Sequence, residues 1–155
     1  MSCMSFYSKC TPHLLSVLRV VVGLLFIEHG SQKLLGFPPA QQAASDSLST
    51  LTWVSGGLEF FGGLLILLGL FTRPAAFLLS GEMAVAYFMV HAPQGFFPLQ
   101  NRGELAVLYS FVFLFLAVAG SGAWSLDNLL WRRSSETRRG SATPTKTKAS
   151  EPTGV

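Results

Sequence analysis

The chain has 155 residues, of which 50% are hydrophobic and 12% are charged, and its mean hydropathy is +0.45. This balance excludes an ordinary soluble domain and favours a membrane protein. The net charge of +3 does not indicate nucleic-acid binding, because most basic residues gather in the C-terminal tail. The two cysteines, Cys3 and Cys10, fit no zinc or CxxC spacing. We interpret them as incidental free thiols, with redox chemistry or modification as the alternative.

The first apolar segment, Leu14 to Leu35, has the roughly 20 residues that an α-helix needs to cross a bilayer. Residues 1–13 are interpreted as a short polar lead. Thr11-Pro12 predicts the start of the helix, because proline is tolerated in a first helical turn. No small-x-small cleavage site follows the apolar run, so we predict an uncleaved anchor rather than a signal peptide.

Three more apolar segments follow, separated by loops rich in glycine, proline and polar residues. The four predicted spans cover residues 14–35, 53–71, 74–91 and 104–120. Ser125 then predicts the N-cap of a short amphipathic surface helix over 124–131. The polar tail, 132–155, has no apolar periodicity and is predicted to be disordered. The predicted fold is all-α, a four-helix transmembrane bundle with up-down topology.

Basic residues near the span ends predict the orientation of the chain in the membrane. One side collects Lys9, Arg73, Arg132, Arg133, Arg138 and Arg139. The other side has Arg102 and, at a helix end, Lys33. We therefore predict that both termini are cytoplasmic. In this orientation most ionisable residues of the spans lie in the outer half of the bundle.

Ionisable side chains inside apolar spans are costly in lipid and need partners. The candidates for a substrate site or a proton relay are Glu59, Glu82, Lys33, His29, Arg19, Glu104, His91 and Glu28. Glycine stripes at about 100° per residue predict close helix packing at Gly23, Gly30, Gly56 and Gly63. Glu59 shares such a stripe, so we predict that it faces the first helix and pairs with Lys33 or His29. Glu28 is predicted to point nearly opposite.

Several candidates have a simpler structural interpretation. Lys33 and Glu28 lie near a helix end, where long side chains can snorkel to the lipid headgroups. Arg19 can reach the phosphates of the inner leaflet in the same way. His91, at the end of the third span, can be an interfacial residue.

Two further alternatives concern the acidic residues. Glu104 follows Asn101 by three residues, which is the spacing of an N-terminal helix cap. Glu59 and Glu82 lie far from span ends, and their alternative is a structural ion pair that fixes helix register. The sequence contains no spaced zinc set, phosphate loop, Ser-His-Asp pattern or Rossmann fingerprint, so no metal and no motif-bound cofactor is predicted.

A set of motifs in the first 131 residues resembles the DoxX family of small bacterial membrane proteins. The matching stretches are Arg19 with GLLFIEHGSQKL (23–34), GGLEFFGGLLILLGLFTRPAA (56–76), Glu82-Met83, NRGE (101–104) and the closing segment 120–130 with Ser125-Leu126-Asp127. Arg102 is a departure, because the family often has NGGE. The resemblance implies a four-helix protein of the bacterial cytoplasmic membrane.

The family resemblance also implies a class of function. Members are commonly described as candidate oxidoreductases. The family name comes from a subunit of a quinone-reducing, thiosulfate-oxidising complex, and other members belong to membrane complexes that handle oxidative and thiol stress. If this chain takes part in redox chemistry, we expect its electrons to come from a partner protein or to pass through quinone.

Three functions compete at this stage. The first is an accessory subunit of a membrane redox complex, with a quinone or small-molecule site in the outer half of the bundle. The second is a small proton-coupled transporter that uses the same residues as a relay. The third is a scaffold whose polar groups only lock the helices together. The expected surroundings are the lipid bilayer, a redox partner protein and further copies of the chain, with no nucleic acid.

Overall fold

The computed structural model describes residues 3–39 and 50–130, with side chains from Tyr7 onward. The all-α class is confirmed for these residues, which form helices and no strand. The predicted disordered tail, the end of the predicted surface helix and the middle of the first loop lie outside the described residues, as does the side chain of Cys3.

The first helix, α1, runs from Cys3 to Leu35 and begins well before the predicted start at Thr11-Pro12. Pro12 lies inside the helix, where side chains of its neighbours bond to the carbonyls of the preceding turn. Thr11 Oγ1 donates to Tyr7 O at 2.8 Å, and Ser16 Oγ donates to Pro12 O at 2.9 Å. The helix continues through Pro12, so the polar lead is helical from Cys3 onward.

The second helix, α2 (Thr50–Leu68), ends at Gly69, whereas the predicted span continues to residue 71. Gly69 adopts a positive φ of 68°, its N–H donates to Ile66 O, and the N–H of Leu70 donates to Leu65 O at 3.0 Å. This pair of bonds is a Schellman motif, and it ends α2 three residues before the predicted bound.

The third helix, α3 (Thr72–Ala86), continues as a π-helical turn over Tyr87–His91 and a 3₁₀ turn over Ala92–Gln94. A short helix, α4 (Pro98–Asn101), leads to the last long helix, α5 (Glu104–Ala119). Arg102 links α4 and α5 with a φ of 58°. This left-handed conformation favours glycine, which is the residue that the family pattern often has at this position.

The predicted glycine stripes lie where α1 and α2 cross. A Cβ added to Gly23 would stand 2.7 Å from the backbone nitrogen of Leu67, and one added to Gly30 would overlap the backbone of Phe60. Gly63 approaches the backbone of Ile27 in the same way. The two backbones are therefore packed too closely for any side chain, as is typical of small residues at membrane-helix crossings.

All four long helices contribute to one core, in which Phe26, Ile66, Leu79, Phe113 and Leu116 are almost completely buried. The outward faces are apolar as well, and they expose large side chains such as Leu24, Phe61, Phe77 and Phe111. A surface of this kind is unsuited to water and suited to lipid.

Three described helical segments are long and apolar enough to cross a membrane: Tyr7–Leu35, Thr50–Leu68 and Thr72–Gln94. The fourth, α5, is apolar but has only 16 residues, which gives a length of about 24 Å at 1.5 Å per residue. The four-span, up-down bundle thus stays a prediction.

The two ends of the bundle are named here by one residue each. The Lys33 end is where α1 ends and α2 begins, and the Arg19 end is where α2 ends and α3 begins.

The α1–α2 crossing generates a prediction with a built-in control. Gly30→Ala forces a methyl group into the Phe60 backbone, so we expect a loss of about 1–3 kcal/mol of stability. The control is Gly57→Ala on α2, where the added methyl group meets nothing within 4 Å. This substitution should be neutral or stabilising by about 0.5–1 kcal/mol. Thermal unfolding in one detergent measures both. Equal effects of the two substitutions would contradict the close crossing.

Candidate functional site

The Lys33 end contains an ion pair between the first two helices. Lys33 Nζ lies 2.6 Å from Glu59 Oε1 and donates a second hydrogen bond to Ser55 Oγ at 3.2 Å. The side chain of Glu59 is 3% exposed, whereas that of Lys33 is 35% exposed. The pair therefore has a buried acidic side and a basic side that reaches the surface.

The local geometry explains why these groups meet. Ser55 precedes Glu59 by one helical turn, so both lie on the face of α2 that meets α1. Gly56 lies beside them, and a Cβ there would stand 2.9 Å from Lys33 Cβ. The missing side chain lets the lysine stem lie flat against α2 and places its ammonium at Glu59.

Glu82 on α3 is a further ionisable residue that interacts with this pair. Both of its carboxyl oxygens are buried and, within the described part of the chain, neither has a hydrogen-bond partner. The same holds for Glu59 Oε2. Glu82 interacts electrostatically with Glu59 and Lys33. We call Lys33, Ser55, Glu59 and Glu82 the polar cluster; it joins three helices.

The two neighbours of the cluster on α1 point in different directions. His29 is half-buried, and its ring centroid lies 6.2 Å from those of Phe26 and Tyr109. It sits one turn before Lys33, on the inward side of the helix. Glu28 is exposed, in keeping with its predicted outward direction.

His91 and Glu104 lie in the connection between α3 and α5 and are not brought into the cluster. His91 Nδ1 is 3.0 Å from Asn101 O, and the ring stacks on Tyr87 with a centroid separation of 6.4 Å. Asn101 Oδ1 accepts the N–H of Gly103 at 2.8 Å. Glu104 is the exposed first residue of α5, where a carboxylate is favoured by the helix dipole.

Arg19 belongs to the opposite end of the molecule and is 1% exposed. Its guanidinium donates to four backbone carbonyls. Two belong to the last turn of α2, Ile66 and Leu67, the latter at 2.5 Å. The others follow α5: Ser121, at 2.9 Å from Nε, and Trp124. Arg19 thus binds carbonyls at the end of α2 and fastens the closing segment to that helix end.

Asp127 completes this arrangement from the closing segment. Its carboxylate accepts the N–H groups of Phe71 at 2.8 Å and Thr72 at 3.0 Å, which open α3. Its own N–H donates to Gly69 O at 2.9 Å. The predicted N-cap at Ser125 is confirmed, because Ser125 Oγ accepts the N–H of Asn128 at 3.2 Å.

An open cleft of about 630 Å³ lies at the Arg19 end, between the α2–α3 turn and the closing segment. Its lining includes Pro12, Arg73, Gly120 and Asp127. The cleft is therefore far from the polar cluster along the helices. A substrate of the cluster would instead approach at the half-exposed ammonium of Lys33.

Some contributors to this arrangement were not singled out from the sequence. Ser55 could have been found from its spacing of four residues before Glu59. Ser80 and Ser110 exchange reciprocal hydrogen bonds of 2.8 and 3.1 Å between α3 and α5, and no local signal predicts that pairing. Cys10 is a half-buried free thiol. Among the described residues, no three His, Cys, Asp or Glu side chains are grouped to hold a metal ion.

Comparison with known proteins decides the family. The DoxX family model matches residues 14–92, which is about half of the chain. The chain belongs to the DoxX family. The matched range contains α1 from residue 14 onward and all of α2 and α3, and hence every member of the polar cluster. This DoxX protein matches no solved structure.

Its relatives in the family are bacterial proteins. An uncharacterized protein of Haemophilus influenzae is 45% identical over 134 residues, covering 84% of this chain and 100% of the relative. "Inner membrane protein YqjF" of Escherichia coli is 35% identical and covers 74% and 89% of the two chains. A more distant relative, "Putative oxidoreductase CatD" of Bacillus subtilis, is 27% identical and covers 75% and 86%.

Proposed function

We propose that this DoxX protein is an accessory subunit of a membrane redox complex and that the polar cluster manages protons for a quinone or another small substrate. The observation that carries the proposal is the buried pair Lys33–Glu59 with Glu82 beside it. Ionisable groups of this kind in an apolar bundle are expensive and are typical of substrate or proton pathways. The name of the Bacillus relative, "Putative oxidoreductase CatD", agrees with a role in redox chemistry.

A quinone-type substrate fits the donors at the cluster. Lys33 has three N–H groups, and within the described residues two of them are used by Ser55 and Glu59. The remaining N–H can donate to a carbonyl oxygen of a bound substrate at the half-exposed side of the ammonium. The apolar outer surface around the helices suits the ring and tail of a lipid-soluble molecule.

The first experiment is purification of the tagged protein from membranes in mild detergent. We expect quinone, or a protein carrying a flavin, haem or iron–sulfur group, to co-purify with the wild type. Glu59→Gln should lose this association, because it removes the carboxylate that holds Lys33. Glu28→Gln changes an exposed carboxyl of α1 in the same way and serves as the matched control.

Two outcomes would contradict the redox proposal. A Glu59→Gln protein that folds and retains every association and activity would leave the cluster a scaffold. Substrate flux in vesicles that is lost in Glu59→Gln, without any redox partner or quinone, would favour a proton-coupled transporter.

We further propose that the protein lies in the bacterial inner membrane with α5 as a fourth span and both termini cytoplasmic. One support is the excess of basic residues at the Arg19 end, which includes Arg73 and Lys9. The other is the name of the Escherichia relative, "Inner membrane protein YqjF". A reporter at the C-terminus should behave as cytoplasmic, and one in the 40–52 loop as external. The reverse pattern would invert the orientation and place the polar cluster near the cytoplasm.

A further inference from the structure

The polar cluster holds three buried carboxyl oxygens without a hydrogen-bond partner in the described residues: Glu59 Oε2, Glu82 Oε1 and Glu82 Oε2. Glu59 is 2% exposed, so its second oxygen is shielded from bulk water. A buried polar group left without a partner costs about 1–3 kcal/mol, and more when it is charged. The arrangement is therefore incomplete as a set of ionised side chains.

The packing of α2 on α3 brings Glu59 and Glu82 to the same level of the bundle. A Cβ added to Gly62 would meet the side chain of Leu79, which fixes one contact between the two antiparallel helices. One turn from this contact, toward the Lys33 end, come Glu59 on α2 and Glu82 on α3. The electrostatic interaction between the two glutamates agrees with this register.

The charges of the cluster do not balance when every group is ionised. One ammonium faces two carboxylates, which leaves a net charge of −1 in an apolar interior. Lys33 bonds directly to Glu59, so Glu59 is the carboxylate that has a counter-ion. Glu82 has none of its own, and a single proton on Glu82 makes the cluster neutral.

We propose that Glu82 and Glu59 form a carboxylic acid–carboxylate pair that holds one exchangeable proton. The O–H of Glu82 donates to Glu59 Oε2, which supplies the missing donor and the missing acceptor in one bond. On release, the O–H bond breaks, its electron pair stays on Glu82, and the proton passes to a basic oxygen of a bound substrate. A proton from the bulk solvent then returns to the pair through water beside Lys33, whose side chain is 35% exposed. Delivery to a substrate rests on the proposed function; the proton-holding pair does not.

Other titratable groups on the surrounding helices bear on this proton. The described ones that are at least half-buried toward this end are Lys33 and His29 on α1, Glu59 on α2, Tyr109 on α5, and Tyr87 and His91 on the continuation of α3. Arg19 acts at the opposite end. Among these described groups, Lys33 alone is hydrogen-bonded to either carboxyl, and it is already committed to Glu59.

Infrared difference spectroscopy of the purified protein in lipid vesicles tests the pair without any partner or quinone. At neutral pH we expect the carbonyl band of a protonated carboxylic acid, and a downshift of this band in D2O because the proton exchanges. Glu82→Gln should abolish the band while keeping an N–H donor for Glu59. Glu28→Gln, which alters an exposed glutamate, should leave the band unchanged.

A second probe covers the case in which Glu82→Gln does not fold. Dicyclohexylcarbodiimide modifies protonated carboxyls in apolar surroundings, and mass spectrometry of the wild type should find it on Glu82 and not on Glu28. Absence of the band, its persistence in folded Glu82→Gln, or labelling of Glu59 in place of Glu82 would overturn the proposal. A carbonyl band that is lost in Glu82→Gln, in a protein that co-purifies with no quinone or redox partner, would support the proton-holding pair and reject the proposed redox role.

Discussion

The structure depends on one constraint: polar groups inside an apolar helix bundle must find partners within the chain, because lipid offers none. At the Arg19 end the charged groups meet this constraint, and Thr72 Oγ1 is the buried side-chain atom there that has no partner in the described residues. A single guanidinium binds the carbonyls that end α2, and the carboxylate of Asp127 binds the N–H groups that begin α3. These contacts join two helix termini to the closing segment and make the turn between them part of the folded core.

The Lys33 end meets the same constraint only in part. Lys33, Ser55 and Glu59 bond to one another, but Glu82 and one oxygen of Glu59 are left without partners in the described residues. Native structures rarely bury such groups without a reason, and functional sites are where the exceptions concentrate. The two ends therefore differ in their charged groups, which are bonded at the Arg19 end and in part unpartnered among the described residues at the Lys33 end. This difference also explains why Arg19, a candidate for the site by residue type, acts as a helix clamp.

Much of this arrangement follows from sequence periodicity. The glycine spacing predicts the α1–α2 crossing, because helical geometry fixes which residues share a face. Glu59 shares that face, and this predicts its pairing with a basic residue of α1. The start of α1 is not evident from the sequence, because the helix runs through Pro12, a residue type that usually marks a first helical turn. Nor does the sequence reveal the targets of Arg19, which are backbone carbonyls brought together only by the fold. The Ser80–Ser110 link is likewise a tertiary pairing without a local signal.

The most direct test of this difference between the Arg19 end and the Lys33 end compares the thermal unfolding of Arg19→Lys and Glu82→Gln in the same detergent. Lysine keeps the charge but cannot reach four carbonyls, and each lost bond to a charged group costs about 1.5–3 kcal/mol. At about 2–4 °C per kcal/mol for a chain of this size, Arg19→Lys should lower the Tm by several degrees or more. Glu82→Gln should leave the Tm within about 2 °C, because the amide still donates to Glu59. A large loss in Glu82→Gln with none in Arg19→Lys would contradict the account.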